Sequence, residues 1–181
     1  MQLLLEEHRL IERMLGVLDE LVRRLESERE VPASVVEAAL RFLIEFTDGL
    51  HHAKEEHVLF PLLARHDIGP DQPFINALAE HHDMGRSYVR RIAGNWRAVQ
   101  RAVPDAHMAL ASEMQSYVEM LREHIRIEDE FLRGVADEYL SADDDRELVE
   151  GFVAIDDSAA MSRGLDATAL VEECHRGLEE R

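Results

Sequence analysis

A histidine and a glutamate four residues apart on a helix share one face, a turn apart, where both can reach one cation or two neighbouring cations. The chain carries that spacing twice, as His51/Glu55 and His124/Glu128. Two further histidines, His8 and His82, stand at matching places in the segments before each pair. His8 to His82 is 74 residues, and His51 to His124 and Glu55 to Glu128 are each 73. The second half of this region therefore restates the first: a segment with one histidine, then His-x-x-x-Glu.

Four imidazoles and two carboxylates buried in one layer would be costly without compensation, because ionised groups in a low dielectric need a partner or a metal. Two bridging carboxylates and four neutral imidazoles satisfy two divalent ions and leave positions open. Imidazole with carboxylate suits iron, manganese or zinc, and open positions fit a two-metal centre better than one closed structural zinc. The competing reading is a set of core histidines hydrogen-bonded to buried glutamates. One His–Glu pair would favour it; six groups repeating in register weigh against it.

The elements that must position these residues are long amphipathic helices. Apolar residues spaced three and four apart form four stripes. The first runs Leu4, His8, Ile11, Leu15, Leu18, Val22, Leu25, and breaks before Pro32. The second runs Leu40, Ile44, His51, Glu55, Val58, Leu62, to the turn ending at Pro73. The third runs Leu78, His82, Gly85, Val89, Ile92, Trp96, Val99, to Pro104. The fourth runs Leu110, Met114, Tyr117, Leu121, His124, Glu128, Phe131, Val135. Short connections predict an all-α, up-down-up-down four-helix bundle over 1–140, with a helical extension over 141–181 packed on it. In antiparallel neighbours, residues equally far from the turn face each other. Reflection about residue 31 carries His8 to about position 54, about 68 or 69 carries Glu55 close to His82, and about 104 carries His82 to about 126. All six groups fall at one level.

Composition narrows the function classes. The 181 residues carry a formal net charge of −18, which argues against nucleic acid and against anionic membrane surfaces. No apolar run approaches the roughly 18 residues of a membrane span, and the N-terminus lacks the pattern of a signal peptide. A cytoplasmic location is expected. The single cysteine, Cys174, allows neither an intrachain disulfide nor a cysteine-based metal site.

Neighbouring residues must be told apart. His52/Glu56 has the spacing of His51/Glu55, but its stripe runs back through Asp48, Glu45 and Arg41, so it is expected on a solvated flank. Only His82 of the His81/His82 doublet lies on its stripe. Glu56 could still accept from an imidazole N–H, since metal-bound histidines usually donate their other nitrogen. Tyr117 is expected in the core, and His57, His66, His107 and His175 at the surface.

These residues resemble the hemerythrin-like HHE cation-binding family. Glu6-Glu7-His8 with Ile11 is similar to its first-helix motif, and His51-His52-Ala53-Lys54-Glu55-Glu56 followed by Leu59-Phe60-Pro61 to its second. Glu80-His81-His82-Asp83-Met84-Gly85-Arg86 and His124-Ile125-Arg126-Ile127-Glu128-Asp129 resemble the third and fourth. The match covers about residues 3–136. It implies a non-haem di-iron centre with an oxo- or hydroxo-type bridge, held by His8, His51, Glu55, His82, His124 and Glu128, with manganese or zinc as substitutes. It also implies binding or sensing of oxygen, nitric oxide or iron; the rival is an enzyme turning over peroxide or nitric oxide. Oxygen-carrying hemerythrins place a second histidine one turn from the first on helix three and an aspartate at plus five on helix four. Here Leu78 and Arg86 flank His82, and Glu128 lies at plus four although Asp129 lies at plus five; the symmetric four-histidine, two-glutamate set argues against reversible oxygen carriage. Iron–sulfur cluster repair is disfavoured, since relatives with that role carry an N-terminal cysteine segment. Any sensory output is expected to pass through a protein partner. The tail could cover a bundle face or mediate a homodimer.

Overall fold

The computed structural model describes residues 1–163 and 165–179, apart from the side chains of 135–138 and 159–163. The side chain of Val135 in the fourth stripe and the last two residues of the tail fall outside what is described. The described chain is all-helical. Helix α1 spans Gln2–Glu26. Helix α2 is one continuous rod over 33–65, made of four pieces: Ala33–Phe42, Leu43–His52, Glu55–Leu59 and Phe60–Arg65. Helices α3 (Pro73–Gln100) and α4 (Ala106–Tyr139) follow, then α5 (Ala142–Arg163) and α6 (Ala167–Glu179). Pro73 opens α3, where its missing N–H costs nothing.

Cross-helix pairs run in opposite order along three helix pairs. Arg9 meets Asp129 and Asp19 meets Arg122 between α1 and α4. Arg91 meets Glu113 between α3 and α4, where His81 also lies against His124. Between α2 and α3 the partners are Glu37 with Gln100, Asp48 with Arg86, and Glu56 with His82.

The apolar interior has two parts. The larger packs Ile11 to Leu25 of α1 with Val35 to Leu50 of α2, Val89 to Trp96 of α3, Leu110 to Ile125 of α4, and α6 through Leu170, Val171, Cys174 and Leu178. The smaller packs Leu4, Leu59, Leu62, Leu63, Ile75 and Leu132 against Leu148 and Phe152 of α5. On α1, α2 and α3 the histidines fall between the two: His8 between Leu4 and Ile11, His51 and Glu55 between Leu50 and Leu59, His82 between Ile75 and Val89. Burial of each large apolar side chain contributes about 1.5–3 kcal/mol, so the polar layer is held between two apolar blocks rather than at an end.

Helices α5 and α6 dock closely on α2 at glycines. A β-carbon on Gly151 would lie 2.6 Å from Val58 Cγ1, and one on Gly177 would lie 2.6 Å from Val35 Cγ2. Cys174 is buried on the α2 side, its Sγ 3.8 Å from the Val35 carbonyl, and burial pushes its thiol up to about 11. The buried Arg24 of α1 donates to the Leu178 carbonyl at 2.5 Å, satisfying one of the terminal acceptors of α6.

Helix α2 departs from the expected stripe. Over Leu43–His52 and Glu55–Leu59 its backbone bonds run i→i+5, a π-helix. Such turns are rare and concentrate at functional sites. No proline lies in 43–59, so a proline kink is not the cause. Each wider turn takes more residues than the about 3.6 of an α-helix, and the inward face drifts along the sequence. Ile44, placed on the core stripe by α-helical spacing, is half exposed, whereas Leu43, Phe46 and Thr47 are buried.

Candidate metal centre

The six residues singled out by spacing come together in one buried layer. His8, Glu55, His82, His124 and Glu128 have no solvent exposure and His51 has almost none. Glu55 is the hub. Its Oε1 lies 2.9 Å from His51 Nε2 and 4.0 Å from His8 Nε2, and its Oε2 lies 3.1 Å from His82 Nε2. Glu128 Oε2 is 3.3 Å from both His8 Nε2 and His124 Nε2.

His52 joins them, contrary to the expected solvated flank. It is buried, and its ring stacks on His82 with centroids 3.9 Å apart. The cause is the π-helical backbone: the smaller angular step per residue holds adjacent His51 and His52 nearer a common face. Two groups of candidate ligand atoms result, each with all its atoms within 4.8 Å of one another. One is His52, Glu55, His82 and His124; the other is His8, His51, Glu55 and Glu128. Glu55 belongs to both. His81 stays partly exposed, and among His57, His66, His107 and His175 none is buried.

Carboxylates on neighbouring helices hold the outer ring nitrogens of His8, His51 and His82. His8 Nδ1 meets Asp129 Oδ1 at 2.7 Å, His51 Nδ1 meets Glu7 Oε2 at 3.0 Å, and His82 Nδ1 meets Glu56 Oε1 at 2.8 Å. His52 Nδ1 lies 3.5 Å from Asp48 Oδ1. An acceptor on Nδ1 keeps the proton there and turns the Nε2 lone pair inward, the arrangement that suits a metal-binding imidazole. Each outer carboxylate is gripped in turn by a cation. Lys54 bonds Glu7, Arg9 and Arg133 bond Asp129, and Arg86 bonds Glu56 at 3.0 Å and Asp48 at 2.9 Å.

Among these acceptors sequence reasoning anticipated only Glu56. Glu7 and Asp129 escaped, although each directly neighbours a residue of the inner set, His8 or Glu128. Adjacency was the available signal; each acceptor serves a histidine on another helix, which only packing reveals. Lys54 was also missed. It is fully buried and reaches Glu7 on one side and Asp156 of α5, at 2.7 Å, on the other. That chain ties α5 to the carboxylate that orients His51.

The electrostatics are consistent with a site short of positive charge. Burial opposes protonation of His51, yet Glu55 and Glu7 raise it to about 10; burial likewise opposes that of His82, yet Glu55 and Glu56 raise it to about 9. His52 has no comparable partner, and burial followed by the neighbouring His82 lowers it to about 3. Burial pushes the Glu55 carboxyl up, but His51 and His82 outweigh it and leave it well below its ordinary value. The inward atoms are left without ordinary hydrogen bonds: Nε2 of His8, His51, His52, His82 and His124, and both oxygens of Glu55 and Glu128. Native interiors pair nearly all such atoms. Five imidazole nitrogens and two carboxylates converging without donors of their own form a donor set that fits divalent cations.

The family model for the hemerythrin HHE cation-binding domain matches residues 1–135. The chain belongs to that family, a class of metal-binding helical proteins. Its curated relatives include the uncharacterized protein Mb2018 of Mycobacterium bovis and the uncharacterized proteins MT2051 and Rv1995 of Mycobacterium tuberculosis. Each is 26% identical over 149 residues, which is 82% of this chain and 58% of the relative. The chain thus spans little more than half the length of these relatives. No solved structure matches it. Among the described residues, no helix is long and apolar enough to cross a membrane.

Proposed function

We propose that this chain is a hemerythrin-like di-iron protein that binds or senses a small ligand such as oxygen or nitric oxide. Residues 1–140 form its up-down-up-down four-helix domain, and 141–181 an extension packed on it. His8, His51, Glu55, His82, His124 and Glu128 would hold the two ions, Glu55 being the residue common to both candidate groups. His52 serves as a seventh ligand, standing in for the second histidine that helix three lacks. The observation that carries this reading is the convergence of buried, unbonded Nε2 and carboxylate oxygens on two overlapping groups that share Glu55.

The iron ions would supply redox chemistry and open positions for a small ligand. The protein's own part is to orient and insulate. Glu7, Glu56 and Asp129 hold protons on the outer ring nitrogens, and the apolar blocks on either side cover the layer along the helix axes. The cytoplasmic location expected from the sequence belongs to the same proposal.

The test is metal analysis of protein expressed with iron and handled to retain it, together with near-ultraviolet oxo-to-iron absorption. Two irons per chain with that absorption are expected. Less than about one metal per chain would sink the reading. Stopped-flow mixing with peroxide separates the enzymatic alternative: sustained turnover would replace binding with catalysis as the function.

A further inference from the structure

Between the π-helical part of α2 and α3 lies a cavity of about 560 Å³. Leu43, Ile44, Val89 and Ala93 give it apolar walls, and Tyr117 of α4 closes its floor beside Gly85. Its inner end is His52, whose ring stacks on His82, so the cavity reaches the buried histidine layer. Ile44, the residue the π-turns leave half exposed, forms part of the mouth.

The cavity has room for more than a diatomic ligand. A water molecule takes about 30 Å³ of liquid volume, and a diatomic is of similar scale, whereas cavities of about 300–1,000 Å³ accommodate organic ligands. Charge narrows the class further. Arg86, Arg90 and Arg97 line the cavity along one stripe of α3, spanning about 16 Å at 1.5 Å per residue. Arg86 is occupied by Asp48, Glu56 and Asp83. Arg90 and Arg97 have no acidic partner among the described residues. Two unengaged guanidinium groups beside an apolar cavity are notable in a chain of net charge −18, and they suit a planar carboxylate.

We infer that this cavity binds an apolar-bodied organic anion, a medium-chain carboxylate in class, with its head on Arg90 and Arg97 and its tail running between Leu43, Ile44, Val89 and Ala93 toward His52. That the tail ends beside a cation centre rests on the function proposed above; binding in the cavity does not.

The experiment titrates decanoate and decyltrimethylammonium, below their micelle concentrations, into the full chain by calorimetry. The two probes share a tail and differ in the sign of the head. Non-specific attraction to an acidic protein would favour the cation. One decanoate per chain is expected, bound at least about tenfold tighter than the cation, a difference of about 1.4 kcal/mol. R90E/R97E should lose the preference for the anion. A93W should abolish binding of decanoate while leaving metal content unchanged. R90E/R97E alters exposed side chains only, and circular dichroism confirms folding of both variants. Equal or tighter binding of the cation, or decanoate binding retained in folded A93W, would overturn the inference. So would closure of the cavity by a second copy, read as a doubled mass that R90E/R97E halves with no decanoate uptake. Metal analysis on the same samples keeps the two readings apart, since low metal with intact decanoate binding refutes only the di-iron proposal.

Discussion

Helices α2 and α4 carry the same His-x-x-x-Glu motif and present it differently. Helix α4 is α-helical throughout, and it sends His124 and Glu128 inward while Asp129 turns to His8 of α1. Helix α2 is largely π-helical around its motif, and it sends in His51, His52 and Glu55 together with the buried Lys54. One helix contributes two residues to the candidate ligand groups and the other three. The difference teaches that a repeated motif sets residue type and level, while backbone geometry sets how many neighbours share the face. It also makes the centre asymmetric: Glu55 belongs to both candidate groups and Glu128 to one.

The glutamates separate the two helices most sharply. Glu55→Ala should remove both cations, whereas Glu128→Ala should leave roughly one per chain, as counted by mass spectrometry of metals in purified protein. Equal metal in the two variants would mean that the motifs are equivalent and the shared role of Glu55 is wrong.

The cations behind the carboxylates offer a second contrast. Lys54 on α2 is buried between Glu7 and Asp156, while Arg133 on α4 is exposed beside Asp129. Lys54→Met should cost about 3 kcal/mol in urea unfolding, because it strands a buried carboxylate. Arg133→Met should cost less than about 1 kcal/mol. A similar loss for both would show that burial does not separate these pairs.

The smallest expected effect sharpens the π-helical side. His52→Ala should weaken retention of one cation by about tenfold or more against a competing chelator, at the level expected for a ligand or its close support. His81→Ala, one residue from His82 on a regular helix, should leave retention unchanged. If His52→Ala behaves like His81→Ala, the stacked ring packs on the centre without serving it.

The all-helical class, the approximate limits of the helices and the level at which six polar residues meet were readable from residue order alone. Those follow from local quantities: apolar spacing, breakers at the turns, and equal distances from a turn in antiparallel neighbours. His8, His51, Glu55, His82, His124 and Glu128 were legible because each sits on an apolar stripe that a polar residue should avoid. The remaining features come from backbone geometry and packing between helices. The π-turns of α2 moved His52 inward and Ile44 outward, and an α-helical template cannot register that change of step. Glu7 and Asp129 found their histidines on other helices, and Lys54 found its partners on α1 and α5, pairings that have no signature within one helix. The close docking of α5 and α6 depends on a β-carbon missing at Gly151 and Gly177 opposite Val58 and Val35. Such contacts join residues far apart in the chain, and spacing carries no record of them.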